Sequence, residues 1–398
     1  MSTIATKLDR GNSISSPLFL TGLARGGTNL LARMLIASGS AQIAIHAFLP
    51  WFKSLRNAMV RHSGNGALVQ SFDPNSPFSD GYFDKRQQDL LGLLHAGSLD
   101  VDFEGAEWPE LSDRLITRAR HDAAYLCPSM SELAGATTYR EMMDRILRAV
   151  IESDATGMRR PGLIDTWIID MLPALARAYP DALFLVVLRD PRAIIASTLR
   201  FLSVDPTQVG HILSIVRQWR KFVTLSCVFR KDPPLAQRVL VVRYEDQVAE
   251  IEQFARRVCD FLDLRFVPEM AAFSNYQNPS QPQPWHGNSA FEKKMDRIDA
   301  KPTLRWRNTL PTSVIKLIEF ACGDDMMACG YEPLHAFEEL SNDAELLTCL
   351  IQDCRRDCGW RTDSQDPQVD YGREAFRRML PRLQRGARRW RSAPCIPR

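Results

Sequence analysis

The sequence has no CxxC pair, no apolar run long enough to span a bilayer and no strong imbalance of charge. Each absence closes off a class of protein. The nine cysteines are an odd number, scattered, and none falls at the spacing of a zinc site. Cys354 and Cys358, four residues apart, read as neighbours on a helix surface rather than as a metal pair. This usage predicts a reducing compartment. The longest strongly apolar stretch, Ala182 to Leu188, is closed by Asp181 and Arg189, far short of the ~20 residues that cross a membrane. The first sixteen residues lack the basic start and apolar stretch of a secretory signal. A soluble, cytoplasmic protein is expected. The net charge of +3 by itself implies no polyanionic partner, so no specific nucleic acid is expected either.

With 398 residues the chain can bury a full core, as one large or two medium domains. Apolar runs that end in polar turns alternate with segments of helical period, the pattern of a parallel sheet with crossover helices. Strands are predicted at Pro17 to Thr21, Gln42 to His46, Gly162 to Asp165, Leu183 to Leu188 and Val239 to Arg243. Runs as continuously apolar as LFLVVL fit a sheet covered on both faces. Leu30, Leu31, Met34 and Leu35 recur at helical spacing after the first strand. Phe48, Trp51, Phe52, Leu55 and Met59 share one face of another helix, read as a core face, with the aromatic residues lining an acceptor pocket as the alternative.

Between the second and third strands lie roughly 115 residues, broken by turn clusters such as Asp73-Pro74-Asn75 and Ser79-Asp80-Gly81. This insertion, 47–160, reads as a helical cap over the C-terminal edge of the sheet. Asn278 to Asn288 holds three prolines and reads as an extended loop. The main domain is bounded at 14–335, and 336–398 is a basic helical extension. Gly372 to Arg398 carries nine arginines against one glutamate, read as a solvated helix face with contact to an anionic surface as the alternative.

Residues 17 to 29, PLFLTGLARGGTN, give Gly22 and Gly27 the separation of a phosphate-binding Walker loop. The lysine position is Thr28 and the next residue is Asn29, so the main cation of ATP chemistry is missing and a phosphotransferase is disfavoured. Arg25 is the nearest positive charge, while backbone amides and a helix N-terminus near Thr28 still favour a phosphate. In RDPRAIIAS, Arg189 stands at the tip of the fourth strand and Ser197 two helical turns later. A guanidinium and a hydroxyl so placed can hold a second phosphate. Two anion sites on neighbouring strand tips suit a nucleotide phosphorylated at both ends. The expected fold class is therefore α/β, a P-loop-type three-layer fold with a central parallel sheet of about five strands, the cap and the basic extension.

The two motifs together resemble those of sulfotransferases that use 3′-phosphoadenosine 5′-phosphosulfate. VLVVRYEDQ at 239 to 247 resembles that family's RYEDL strand end, and WHGNSAF with RWRNTL at 285 to 310 its nucleotide-closing segment. The resemblance runs from Leu18 to about Tyr331. It implies that Arg25, Gly26, Gly27, Thr28 and Asn29 cradle the 5′-phosphosulfate, that Arg189 and Ser197 hold the 3′-phosphate, and that no metal is needed. It also implies that Arg25 stabilises charge on the bridging oxygen and that 3′,5′-ADP is the product. Gly27 departs from the Ser of many members, and Asp165-Thr166-Trp167 replaces a common Lys-Thr-Pro.

The implied acceptor is a hydroxyl on a carbohydrate, lipid-linked sugar or small molecule. Its proton needs a base, a Glu or His in this family. His46, 21 residues after Arg25 at the end of the second strand, is the candidate, with Glu104 and Asp165 as rivals. The alternative from another class is a non-catalytic nucleotide-binding scaffold whose basic tail holds a polyanion.

Overall fold

In a computed structural model of the chain the described residues are 16–71, 73–74, 77–78, 85–153, 159–203, 212–278, 281–287, 289–292, 294–295, 297–340 and 374–377. Five parallel strands, β1 (Leu18–Gly22), β2 (Ala41–Ile45), β3 (Arg160–Ile164), β4 (Leu183–Leu188) and β5 (Val239–Arg243), form one sheet in the order β2-β3-β1-β4-β5. Every predicted strand is present, within two residues of its expected ends. β1 is central and buried along its length, between β3 (Leu18 opposite Gly162) and β4 (Leu18 opposite Leu183). An all-parallel sheet has to be covered on both faces, and this one is.

Alternation along the strands divides the core. Leu18, Leu20, Ile43, Ile45, Leu185 and Val187 face one layer, made by α1 (Thr28–Ala37) and, later in the chain, Phe254, Val258 and Leu262. Phe19, Ala44, Leu163, Phe184, Val186 and Val241 face the other. Into that second layer fold α2 (Leu49–His62), α3 (Gly66–Ser71), α4 (Lys85–Ala96), α5 (Trp108–Asp122) and α6 (Tyr139–Glu152) of the insertion. The crossover α7 (Ile168–Ala178), then α8 (Pro191–Phe201) and α9 (Ile212–Lys231), complete it. The result is three layers.

The insertion thickens a face more than it roofs the edge. α6 packs on β2 and β3, and α4 on α7. The reason is its apolar stripes: Met142, Met143, Ile146 and Leu147 of α6 are all fully buried. Phe48, Trp51, Phe52, Leu55 and Met59 are likewise buried in the core, as their spacing predicts. Gln277–Asn278 and Gln281–Pro284 pair as a short antiparallel ribbon apart from the main sheet.

Most of the basic extension, with Cys354 and Cys358, lies outside the described residues, as do Asn75 and Ser79-Asp80-Gly81. Within its described turn Glu374 is fully buried, paired with Arg217 and Arg220 of α9, which hold its carboxyl down at about 2. Cys227 is disulfide-bonded while Cys127, Cys259, Cys322 and Cys329 are free. Because disulfides persist in oxidising surroundings, the cysteines no longer support a reducing compartment. No helix among the described residues is long and apolar enough to cross a membrane.

Candidate active site

The C-terminal edge of the sheet carries the predicted residues in strand order. His46 follows β2 and extends the ladder by one bond, its N–H donating to the Ile164 carbonyl at 3.1 Å. Asp165 follows β3 and donates its N–H to Leu20 of β1 at 3.1 Å. The glycine loop follows β1, Arg189 follows β4 and Tyr244 follows β5. In an open α/β sheet the crevice outside these ends, where the strand order reverses, is where ligands bind.

The loop is shaped for close approach to a ligand. Gly26 donates its N–H to the Leu23 carbonyl at 2.8 Å, and any Cβ there would strike that oxygen. Gly27 has φ +94°, and a Cβ on it would fall within the Tyr244 ring. That contact accounts for glycine where Ser was expected: the tyrosine occupies the side chain's volume. Arg25 also takes a positive φ, +65°, and so does His46, +51°. Non-glycine residues rarely adopt this region, and it re-aims both side chains at the tips of their strands.

α1 begins at Thr28 with no side-chain cap, and while Leu30 donates its N–H to the Gly27 carbonyl at 3.1 Å, the amides of Thr28 and Asn29 are left to the loop mouth. α8 differs. Asp190 accepts the Arg192 N–H at 2.9 Å and closes that helix end with a carboxylate. Anion binding therefore falls to the α1 end and to side chains. Arg192 is itself buried between Asp190 and Glu319 with Trp306 beneath it at 3.9 Å, which fixes α8 and so Ser197.

Arg25 Nε donates to the buried Ser197 Oγ at 3.1 Å, and Arg189 Nη1 donates to the Arg25 carbonyl at 2.9 Å. The Arg189 guanidinium lies over the Tyr244 ring at 4.2 Å. Its Nε is buried with no hydrogen-bond partner among the described residues. Burial and then the nearby Arg189 charge lower the pKa of Arg25. Two convergent guanidiniums, one with an orphaned donor, beside a glycine cradle and an uncapped helix form a site that a phosphate-bearing ligand fits.

Thr28 and Asn29 open α1 behind this cluster. Asn29 Oδ1 lies 2.8 Å from His46 Nε2. Because an amide oxygen only accepts, Nε2 carries the proton in this pairing and the lone pair belongs to Nδ1. The His46 carbonyl accepts from Arg118 Nε of α5 at 2.9 Å, which ties the insertion to this strand tip. Asp165 is 2 % exposed, and burial pushes its carboxyl up to about 7 against the Trp167 N–H and the charges of Arg118 and Lys53. Glu104 is exposed beside a single helical turn, Gly105–Glu107, with no described contact to the loop.

The segment expected to close over a nucleotide is placed beside the same cluster. Arg33 of α1 bonds the Gln277 carbonyl and lies over Trp285 at 5.3 Å. Arg305 pairs with Glu292, and both charges act on the Tyr244 hydroxyl. Sequence reasoning did not single out Tyr244, Arg118 or Lys53. Only Tyr244 had a signal, the RYEDQ strand end.

The fold is an α/β fold of the P-loop type, with a glycine loop and two arginines at the C-terminal edge of its parallel sheet. A family model described as the sulfotransferase family matches residues 17–268, and the chain belongs to that family. Carbohydrate sulfotransferase 2 of Mus musculus and of Homo sapiens are each 31 % identical over 120 residues, 30 % of this chain and 22 % of theirs. The match thus spans under a quarter of the length of those relatives. Similar solved structures include the sulfotransferase domain from the curacin biosynthetic pathway, with TM-score 0.43 at 14 % identity, covering 80 % of this chain and 99 % of that one. The sulfotransferase STF9 from Mycobacterium avium aligns with TM-score 0.39 at 14 % identity, covering 80 % and 78 %.

Proposed function

We propose that the protein moves a sulfuryl group from 3′-phosphoadenosine 5′-phosphosulfate to an acceptor hydroxyl. The observation that carries this reading is the junction of Arg25, Ser197 and Arg189 at the mouth of the glycine loop. Family membership and the missing Walker lysine agree with it. The donor, when bound, supplies an activated sulfuryl group and leaves as 3′,5′-ADP.

The loop from Gly26 to Asn29 would cradle the 5′ end, with the amides of Gly27, Thr28 and Asn29 as donors because that of Gly26 is spent on Leu23, and Arg189 with Ser197 would hold the 3′-phosphate. Arg25 stands between the two. Its Nε is engaged with Ser197, so its fork leans toward the 3′ side, while its place in the loop sets its charge beside the bridging oxygen. His46 accepts the hydroxyl proton at Nδ1, with Asn29 fixing the ring through Nε2. Asp165, next to His46 in the strand register and with its carboxyl pushed up to about 7 by burial, is a second group able to share that proton. Tyr244 supports Gly27 and Arg189 from below.

The test pairs turnover with binding. Labelled donor is incubated with a panel of glycans, lipids and small alcohols, and 3′,5′-ADP is titrated into the same protein. His46→Ala should lower turnover by about two to four orders of magnitude and leave nucleotide affinity unchanged. Wild-type turnover in that variant would remove His46 from the reaction.

A further inference from the structure

We infer that the groove between the start of α2 and the outer face of α5 receives a carboxylate carried by the acceptor, which makes the acceptor an acidic sugar or similar polyol. The inference deepens the sulfuryl-transfer reading and rests on it. The groove, about 460 Å³, is lined by Pro50, Asp113, Arg114, Thr117, Arg118 and His121. That volume lies within the range of small-molecule sites. The α5 positions are the polar side of an amphipathic helix whose Leu111, Leu115 and Ala119 are buried.

Arg118 joins the groove to the chemistry. Its Nε is held by the His46 carbonyl at 2.9 Å, and its two Nη groups make no hydrogen bond among the described residues. A guanidinium held in this way presents a planar fork that matches a carboxylate with two parallel bonds. Through this bond to the His46 backbone the fork stands at the strand tip that carries the proposed base. Arg114, one turn earlier, is paired with Glu110, both side chains well exposed, and such a pair yields easily to a better partner.

Lys53 marks the same positive region from α2. It lies over the Trp167 ring at 5.3 Å, and after burial the charges of Arg56 and Arg114 lower its pKa more than Asp165 and Asp73 raise it. Asp113 is the one acid in the lining, against two arginines. Thr117 adds a hydroxyl that can meet a sugar hydroxyl.

The full chain is titrated by calorimetry with p-nitrophenyl β-glucuronide and p-nitrophenyl β-xyloside, each with and without 3′,5′-ADP. The two sugars share their ring hydroxyls and differ by the carboxylate. The glucuronide should bind about tenfold more tightly, the effect of one charge-assisted pairing. Arg114→Ala and Arg118→Ala should each remove most of that advantage while 3′,5′-ADP affinity and the thermal midpoint stay as in wild type. Equal affinities, no binding of either sugar, or an advantage that survives both substitutions would overturn the inference. Failure of 3′,5′-ADP to bind would instead overturn the donor reading, and the nucleotide-free titrations still decide the groove.

Discussion

Asp165→Asn should stabilise the protein at alkaline pH and do little in acid. The carboxyl is 2 % exposed and titrates near 7 rather than at its ordinary 3.8, chiefly because burial penalises the charged form. The folded state therefore keeps a proton that the unfolded chain releases between about pH 4 and pH 7. Stability falls as pH rises through that window, and the cost is complete above it. Three units at about 1.36 kcal/mol each give roughly 4 kcal/mol. Asn never ionises, and its side-chain oxygen can still accept the Trp167 N–H that now meets Asp165 Oδ1 at 2.9 Å. Urea unfolding of both proteins at pH 4.5, 6 and 8 measures the difference. About 1 kcal/mol of that cost is already present at pH 4.5, so the variant's relative stability should climb across the series by roughly 3 kcal/mol. A flat difference would refute the reasoning, and so would a variant that loses ground as pH rises, because Lys53 and Arg118 would then be holding the group ionised.

Two other changes probe the loop. Arg189→Ala should cost 3′,5′-ADP about 1.5 to 3 kcal/mol of affinity and 5′-AMP much less, measured by calorimetry, because the lost bonds are to the 3′-phosphate. Equal losses would place the arginine elsewhere on the nucleotide. Gly27→Ala forces a left-handed backbone onto a residue with a side chain and drives its Cβ into the Tyr244 ring. It should destabilise by about 1 to 3 kcal/mol in urea titrations and weaken 3′,5′-ADP, and Tyr244→Ala in the same chain should restore part of the stability. No rescue would mean that backbone strain alone is responsible.

The sheet was legible because parallel strands covered on both faces are written as short, unbroken apolar runs. LFLTG and LFLVVL need no tertiary information to be recognised, and the polar residues after them mark the strand tips. That is why Arg25, His46, Asp165 and Arg189 could be named and why the fold brings them to one edge. Other features depend on contacts between distant segments. Tyr244 fills the space that makes Gly27 a glycine, and nothing in either residue's neighbours announces the pairing. The high pKa of Asp165 comes from burial, which a lone Asp in a turn does not disclose. Arg118 and Lys53 lie in the insertion, where helical periodicity fixes which face is apolar but not which strand tip the polar face meets. Glu374, read as part of a solvated basic tail, instead neutralises Arg217 and Arg220 inside the protein, a long-range ion cluster with no local signature.

The central claim is that the loop at residues 25–29 and the Arg189–Ser197 pair grip one doubly phosphorylated adenosine. The direct measurement is a calorimetric comparison of 3′,5′-ADP, 5′-AMP and ATP with Mg²⁺ on the wild-type chain. The account predicts saturable binding of 3′,5′-ADP, weaker binding once the 3′-phosphate is removed, and no preference for ATP. Binding of ATP with Mg²⁺ in preference to 3′,5′-ADP, or indifference to the 3′-phosphate, would contradict it.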